Sequence, residues 1–146
     1  AAVLLASEDW ARARGLPVLA WLHFGKTWAV DFASGHEGLL MAPTHAVSAM
    51  LQDAGLGLQD FDYYEIHEAF AAQVLSNLKC FADKQFFQDK LGRDEALGEV
   101  DPAKLNVRGG SLAYGHPFAA TGVRLMNLDD GAVVASVAPI LSTDDE

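Results

Sequence analysis

The sequence predicts a layered α/β domain, and three observations carry the prediction. From Ala1 to Phe24 it reads strand, helix, strand, an alternation completed within about 25 residues, as helices packed on a sheet require. The alternation returns later, where a helical apolar stripe precedes a strand and a second stripe. The length, 146 residues, is that of one domain, and 51% apolar against 21% charged residues can build a core without disulfide or metal staples.

Each element has a local reason. Ala1 to Ala6 is a continuous apolar run, expected as a strand covered on both faces. Ser7 then caps a helix with Glu8 and Asp9 in its first turn, Arg12 and Arg14 in its last and Gly15 as its stop, so the charges oppose the helix dipole. Pro17 to Phe24 is a second expected strand, and Gly25 to Met41 has no period and reads as an irregular connection. Beyond Pro43 and Thr44, residues Val47, Met50, Leu51 and Ala54 fall on one helical face that ends at Gly55. A turn over Gly57 to Asp60 leads into a strand, Phe61 to Ile66. Phe70, Val74, Leu78 and Phe81 mark a helix starting near Glu68, and Phe86, Phe87 and Leu91 mark a shorter one closed by Gly92. Between Asn106 and Gly122, four glycines (Gly109, Gly110, Gly115, Gly122) and Pro117 predict a sharply turning backbone before a helix near Ala119. Gly131 to Leu141 reads as a strand, and Ser142 to Glu146 as an acidic, frayed end.

Composition excludes several classes. Twenty acidic residues against ten basic give a net charge of -10, the wrong sign for displacing counterions from nucleic-acid phosphates. No apolar run reaches the roughly 18 residues of a membrane span. One cysteine, Cys80, makes neither an internal disulfide nor a cysteine-rich zinc site, so a reducing compartment is expected. The first residues lack the basic segment of a secretory signal. The chain opens on Ala1 rather than methionine and enters strand-like sequence at once, as a piece of a longer polypeptide or a processed chain would.

Most candidate motifs fail on their own spacing. His67-Glu68 begins like a zinc-protease helix, but the second histidine, due at position 71, is alanine. Gly55-Leu56-Gly57 begins like a dinucleotide loop, yet Asp60 stands where the third glycine belongs. Gly109-Gly110-Ser111-Leu112-Ala113 lacks the closing glycine of a hydrolase nucleophile elbow. Cys80 falls inside a helical stripe, with no evident helix terminus to activate a thiol, and reads as a small buried hydrophobe. Phe81, Phe86 and Phe87 read as core, the acidic residues Asp129, Asp130 and Asp144 to Glu146 as solvated surface, and His23, His36 and His45 as structural or surface residues. His67 and His116 differ, because each stands where a strand or glycine-rich turn meets a helix, a place from which an imidazole can reach a cleft.

Two strings then carry a resemblance. His67-Glu68-Ala69-Phe70-Ala71 and the segment Asn106-Val107-Arg108-Gly109-Gly110-Ser111-Leu112-Ala113-Tyr114-Gly115-His116-Pro117-Phe118-Ala119-Ala120-Thr121-Gly122 resemble, in order, the Asn-Glu-Ala-Phe and Gly-His-Pro blocks of the thiolase family. The first has the His-Glu-Ala-Phe form of the β-subunits of fatty-acid oxidation complexes, and Leu39 to Thr44 and Leu91-Gly92-Arg93 are similar to that branch too. The likeness runs from Ala1 to Leu125 and is weakest over Gly25 to Glu37. It implies a thiolase-like fold, part of a βαβαβαββ half. Residues 1–15 would end the N-terminal domain, 16–125 would form part of the C-terminal domain, and 126–146 would be a divergent tail.

The resemblance also implies a chemistry, 3-ketoacyl-CoA thiolysis by an acetyl-CoA C-acyltransferase, with coenzyme A as substrate and no metal or other cofactor. His116 matches the family's base for a nucleophilic thiol, and His67 the residue that helps build an oxyanion site, directly or through water. A homodimer, or a complex with a hydratase/dehydrogenase subunit, and a cytoplasmic or mitochondrial location are expected on the same ground. Both family cysteines are missing: the nucleophile belongs to the N-terminal half, and the acid/base cysteine to a block downstream of Gly-His-Pro, where Met126 to Glu146 contains none. Cys80 matches neither position. The reading is the C-terminal part of a 3-ketoacyl-CoA thiolase, inactive alone. The alternative is a non-catalytic thiolase-like protein that binds an acyl-CoA or a partner, and a third possibility is a truncated product with exposed apolar surface.

Overall fold

The structure, a computed structural model, describes residues 1–126 and the backbone of 134–137. Helix α1 (Glu8–Ala13) forms as its charges and cap dictate: Ser7 Oγ accepts from the Trp10 N–H at 3.4 Å, and Arg12 pairs with Glu8 one turn back. The apolar runs on either side of it, 1–6 and 17–24, are not strands. They carry no regular structure and lie exposed, Leu4 by 74% and Leu19 by 82%. A strand forms only by pairing along a neighbour, and neither run joins a sheet among the described residues.

The packed body begins at α2 (Ala42–Ala54) and is built on the predicted helical faces. Val47 and Leu51 of α2 join Leu58, Phe61, Tyr64, Ile66, Val100 and the inward residues Val74 and Phe81 of α3 (Ala71–Ala82) in one core. Helices α2 and α3 are also latched by polar groups. Thr44 Oγ1 donates to Asn77 Oδ1 at 2.8 Å, while Asn77 Nδ2 donates to the carbonyls of Gln73 and Leu40. Both side chains are buried and so need these partners. The next helix, α4 (Lys84–Leu91), starts on an Asp83 cap that accepts from the N–H groups of Gln85 and Phe86 and stops at Gly92. It buries Phe87 completely and Phe86 in part. Arg93 just beyond it reaches back to Ser48 and Gln52 of α2.

Strand β1 (Tyr63–Ile66) is the scaffold of the site. It is shorter than the expected 61–66 and pairs in parallel with β2 (Val134–Val137), in the register Tyr63 to Val134 through Ile66 to Val137. Tyr64 also bridges to Leu105, so a second segment runs alongside β1. The chain between the strands supplies the crossover that parallel pairing needs, ending in the short helices α5 (Ser111–Tyr114) and α6 (Thr121–Met126). Of the strand expected over 131–141, residues 134–137 form β2; the rest of that run, the acidic pair Asp129-Asp130 and the acidic end lie outside the described residues.

Two helix starts differ from expectation. Helix α3 begins at Ala71 rather than near Glu68, and Phe70, with φ -146° and ψ 140°, stays extended and 65% exposed instead of joining the stripe. The Glu68 carboxylate is held by a distant segment, as described below, and the backbone there remains open. Helix α6 begins at Thr121 rather than near Ala119, which sits at φ 64° in the left-handed region and cannot continue a right-handed helix.

Candidate active site

The site starts where β1 stops. His67 follows Ile66 directly and is 3% exposed, its ring turned into the protein beside the glycine-rich segment. Asn106 joins the two. Its Oδ1 accepts from the Ile66 N–H at 2.8 Å, and its Nδ2 donates to the Ile66 carbonyl at 2.9 Å and to Glu68 Oε1 at 2.8 Å. The side chain thus completes the strand's hydrogen bonding, and asparagine tolerates the φ of 47° found there better than most residues. Glu68 Oε2 accepts in turn from the Leu112 N–H at 3.0 Å. Gly110 passes so close to this carboxylate that a Cβ on it would force the Glu68 side chain to move.

Two histidines 49 positions apart in the numbering meet in this frame. The His67 and His116 ring centroids are 4.1 Å apart at 43°. His67 Nδ1 lies 2.9 Å from Ser111 Oγ, and His116 Nδ1 lies 2.7 Å from Thr121 Oγ1. The environments of the rings are opposite. His67 is buried; His116 is exposed, with Phe118 edge-on at 4.9 Å. Burial is the main cause that lowers the His67 pKa, and His116 and Arg124 lower it further against the opposing pull of Glu68. The charged form of His67 is therefore disfavoured.

The pairing of Ser111 with His67 has the look of a hydrolase couple, but its electrostatics are wrong. A base that takes a serine proton must be stabilised as imidazolium. Here burial and the Arg124 guanidinium, whose Nη2 donates to Ser111 Oγ at 3.1 Å, oppose that charge. Ser111 is itself only 6% exposed. The other candidates stand apart from this site. His45 is buried, 2.7 Å from Glu37 Oε2 and stacked on Trp28, a structural pair; His23 and His36 are exposed. Cys80 lies inside α3 with its pKa raised by burial and by Asp83 and Glu37, the reverse of an activated thiol. Among the described residues no cluster of histidine, cysteine and carboxylate side chains could hold a metal ion, and no helix is long and apolar enough to cross a membrane. Sequence reading singled out both central histidines but missed Arg124, Thr121 and the joining role of Asn106. Thr121 bonds to His116, Arg124 reaches His67 only through Ser111, and Asn106 joins the segments on either side of it, contacts that the fold makes.

A mixed α/β body in which a strand end and a glycine-rich turn bring two imidazoles together fits the thiolase-type domain. Comparison with known proteins shows the family. The family model for the thiolase C-terminal domain matches residues 26–129. The 3-ketoacyl-CoA thiolase of Shewanella woodyi is 50% identical over 125 residues, covering 86% of this chain and 28% of that protein. That of Yersinia pestis is 50% identical over 126 residues, with the same coverage. Among solved structures, the peroxisomal 3-ketoacyl-CoA thiolase of Saccharomyces cerevisiae, a five-layered α/β molecule built of two like core domains, superposes with a TM-score of 0.57 at 34% identity, over 81% of this chain and 28% of that one. A thiolase of Ascaris suum in complex with coenzyme A gives 0.60 at 27% identity, over 83% and 26%. The chain belongs to the thiolase family. It carries part of the layered thiolase fold and spans about 28% of the length of the curated relatives it matches.

Proposed function

We propose that this chain is the C-terminal part of a 3-ketoacyl-CoA thiolase and supplies His116 as general base and His67 as oxyanion donor to a site whose nucleophile lies outside it. The observation that carries the reading is the contact of one exposed and one buried imidazole at 4.1 Å. Thr121 commits its hydroxyl proton to the Pro117 carbonyl at 3.3 Å, so its oxygen accepts from His116 Nδ1–H and leaves the Nε2 lone pair open. A cysteine thiol brought to that nitrogen gives up its proton there. The proton stays on His116, since the neighbouring buried ring resists a charge.

The thiolate attacks the 3-keto carbon, and the oxygen that becomes negative takes a hydrogen bond from His67, directly or through water. The C2–C3 bond then breaks. Acetyl-CoA leaves as its enolate and is protonated by an acid outside this chain; the thiol of a second coenzyme A gives its proton to that acid's conjugate base and attacks the acyl thioester, and the cysteine thiolate released takes back its proton from His116. In the assembled enzyme we assign residues 1–15 to the end of the N-terminal domain, 16–125 to the C-terminal domain and 126–146 to a divergent tail. The dimeric state of the yeast neighbour supports a homodimer, with a hydratase/dehydrogenase subunit as a further partner, and a single cysteine fits a reducing compartment such as the cytoplasm.

The test is thiolysis of a 3-ketoacyl-CoA by the chain alone and by a chimera in which residues 1–125 replace the matching segment of the Shewanella woodyi enzyme. The chain alone should be inactive. The chimera should turn over and lose on the order of 10²-fold or more in rate on His116→Ala. Turnover by the isolated chain that survives Cys80→Ser would refute its incompleteness, and a near-normal His116→Ala chimera would remove the base.

A further inference from the structure

The hydrogen bonds around Ser111 have a direction. A serine hydroxyl has one proton to give and lone pairs to receive, whereas a guanidinium can only give. Arg124 Nη2 lies 3.1 Å from Ser111 Oγ and must donate to it. The other partner of that oxygen is His67 Nδ1 at 2.9 Å, so the hydroxyl proton points there. A ring nitrogen that accepts a hydrogen bond carries no proton, and the hydrogen of the neutral ring is then on Nε2.

We infer that Arg124 and Ser111 are positioning residues, the guanidinium orienting the serine hydroxyl so that it holds His67 as the Nε2–H tautomer that can donate to an oxyanion. The inference deepens the thiolysis reading and rests on it for the purpose of the tautomer. Arg124 is otherwise little used. Its Nε and Nη1 are buried with no hydrogen-bond partner among the described residues, and its guanidinium lies 5.7 Å from the Tyr114 ring centroid. Burying a cation for one hydrogen bond is a poor source of stability. It is a good source of direction, because a residue able to accept at this position would let the hydroxyl turn away and the ring change tautomer. The same charge helps keep His67 neutral. Together with the Thr121 contact at His116, this gives two adjacent imidazoles opposite roles at Nε2, one giving a hydrogen and one taking it.

The test is the tautomeric state of His67, read from long-range proton–nitrogen NMR correlations of the chain labelled with ¹⁵N-histidine, the signals being assigned by their loss in His67→Asn. The wild-type chain should show Nε2–H. Ser111→Ala and Arg124→Met should shift the ring towards a mixture with Nδ1–H, and Arg124→Lys, still a pure donor, should restore the wild-type pattern. Wild-type His67 found as Nδ1–H, or an unchanged tautomer in both Ser111→Ala and Arg124→Met, overturns the inference. Should either of those two variants fail to fold, the wild-type and Arg124→Lys spectra still decide it. The measurement needs no turnover, so an inactive chimera would leave it standing, and a wrong tautomer would leave the role of His116 standing.

Discussion

The Glu68 carboxylate lies against the Cα of Gly110, inside the space that a Cβ on that glycine would fill. The strand end and the glycine-rich turn are therefore interlocked: Glu68 bridges Asn106 and the Leu112 N–H, and glycine is the residue that lets the bridge close.

Gly110→Ala should consequently push the carboxylate off its partners and destabilise the chain by about 1–3 kcal/mol, as overpacking does. Urea unfolding would measure this. In a Glu68→Ala background the same change should cost little, so the two losses should not add. Additive losses would mean that the contact is not what makes the glycine necessary.

Asn106→Ala should be the more severe change. It leaves both backbone groups of Ile66 without their side-chain partners and strands Glu68 Oε1. Each unsatisfied buried group costs about 1–3 kcal/mol, so a loss of about 2 kcal/mol or more is expected in the same unfolding measurement. Hydrogen exchange at the Ile66 amide should accelerate relative to that at Tyr64.

Stability should fall in acid through His67. Its folded pKa lies below the ordinary 6.5, first because it is buried and then because His116 and Arg124 face it, with Glu68 opposing. The unfolded chain therefore binds a proton that the folded chain refuses. The stabilisation is full above about pH 6.5 and is lost as pH falls from there through the folded pKa. A pH series of unfolding free energies should show this slope, and His67→Asn should flatten it. An equal slope in the variant would place the acid sensitivity elsewhere.

Cys80 should be sluggish. Its raised pKa, owed mainly to burial and then to Asp83 and Glu37, reduces the thiolate fraction. Alkylation by iodoacetamide at pH 8 should be slower than that of a small free thiol, and Cys80→Ser should leave the turnover of the chimera unchanged. Alkylation as fast as that of the free thiol would contradict the raised pKa.

Much of the helical part was legible because it is local. The stripes of Val47, Leu51, Val74 and Phe81, the Ser7 cap and the stops at Gly55 and Gly92 all depend on residues within a turn or two of one another. The apolar runs at 1–6 and 17–24 misled for the complementary reason: a strand exists only through a neighbour, and the sequence of a run does not say whether that neighbour is present. His67 and His116 stood out through their positions at element junctions and through the two thiolase-like blocks. Arg124 and Thr121 did not, because a single arginine or threonine on a helix carries no mark of the side chain it bonds to, Ser111 for the one and His116 for the other.

From the sequence alone follow the thiolase kinship, most of the helices with the stops at Gly55 and Gly92, the two histidines at element junctions and the single cysteine, since these are properties of residue type and short-range order. Only the tertiary structure decided that the histidines meet, that one is buried and the other exposed, and that Ser111 and Arg124 stand behind the first while Thr121 stands behind the second. The physical reason is that protonation and hydrogen-bond direction depend on which donors and charges lie within a few ångströms, and the path of the chain between positions 67 and 124 sets those distances.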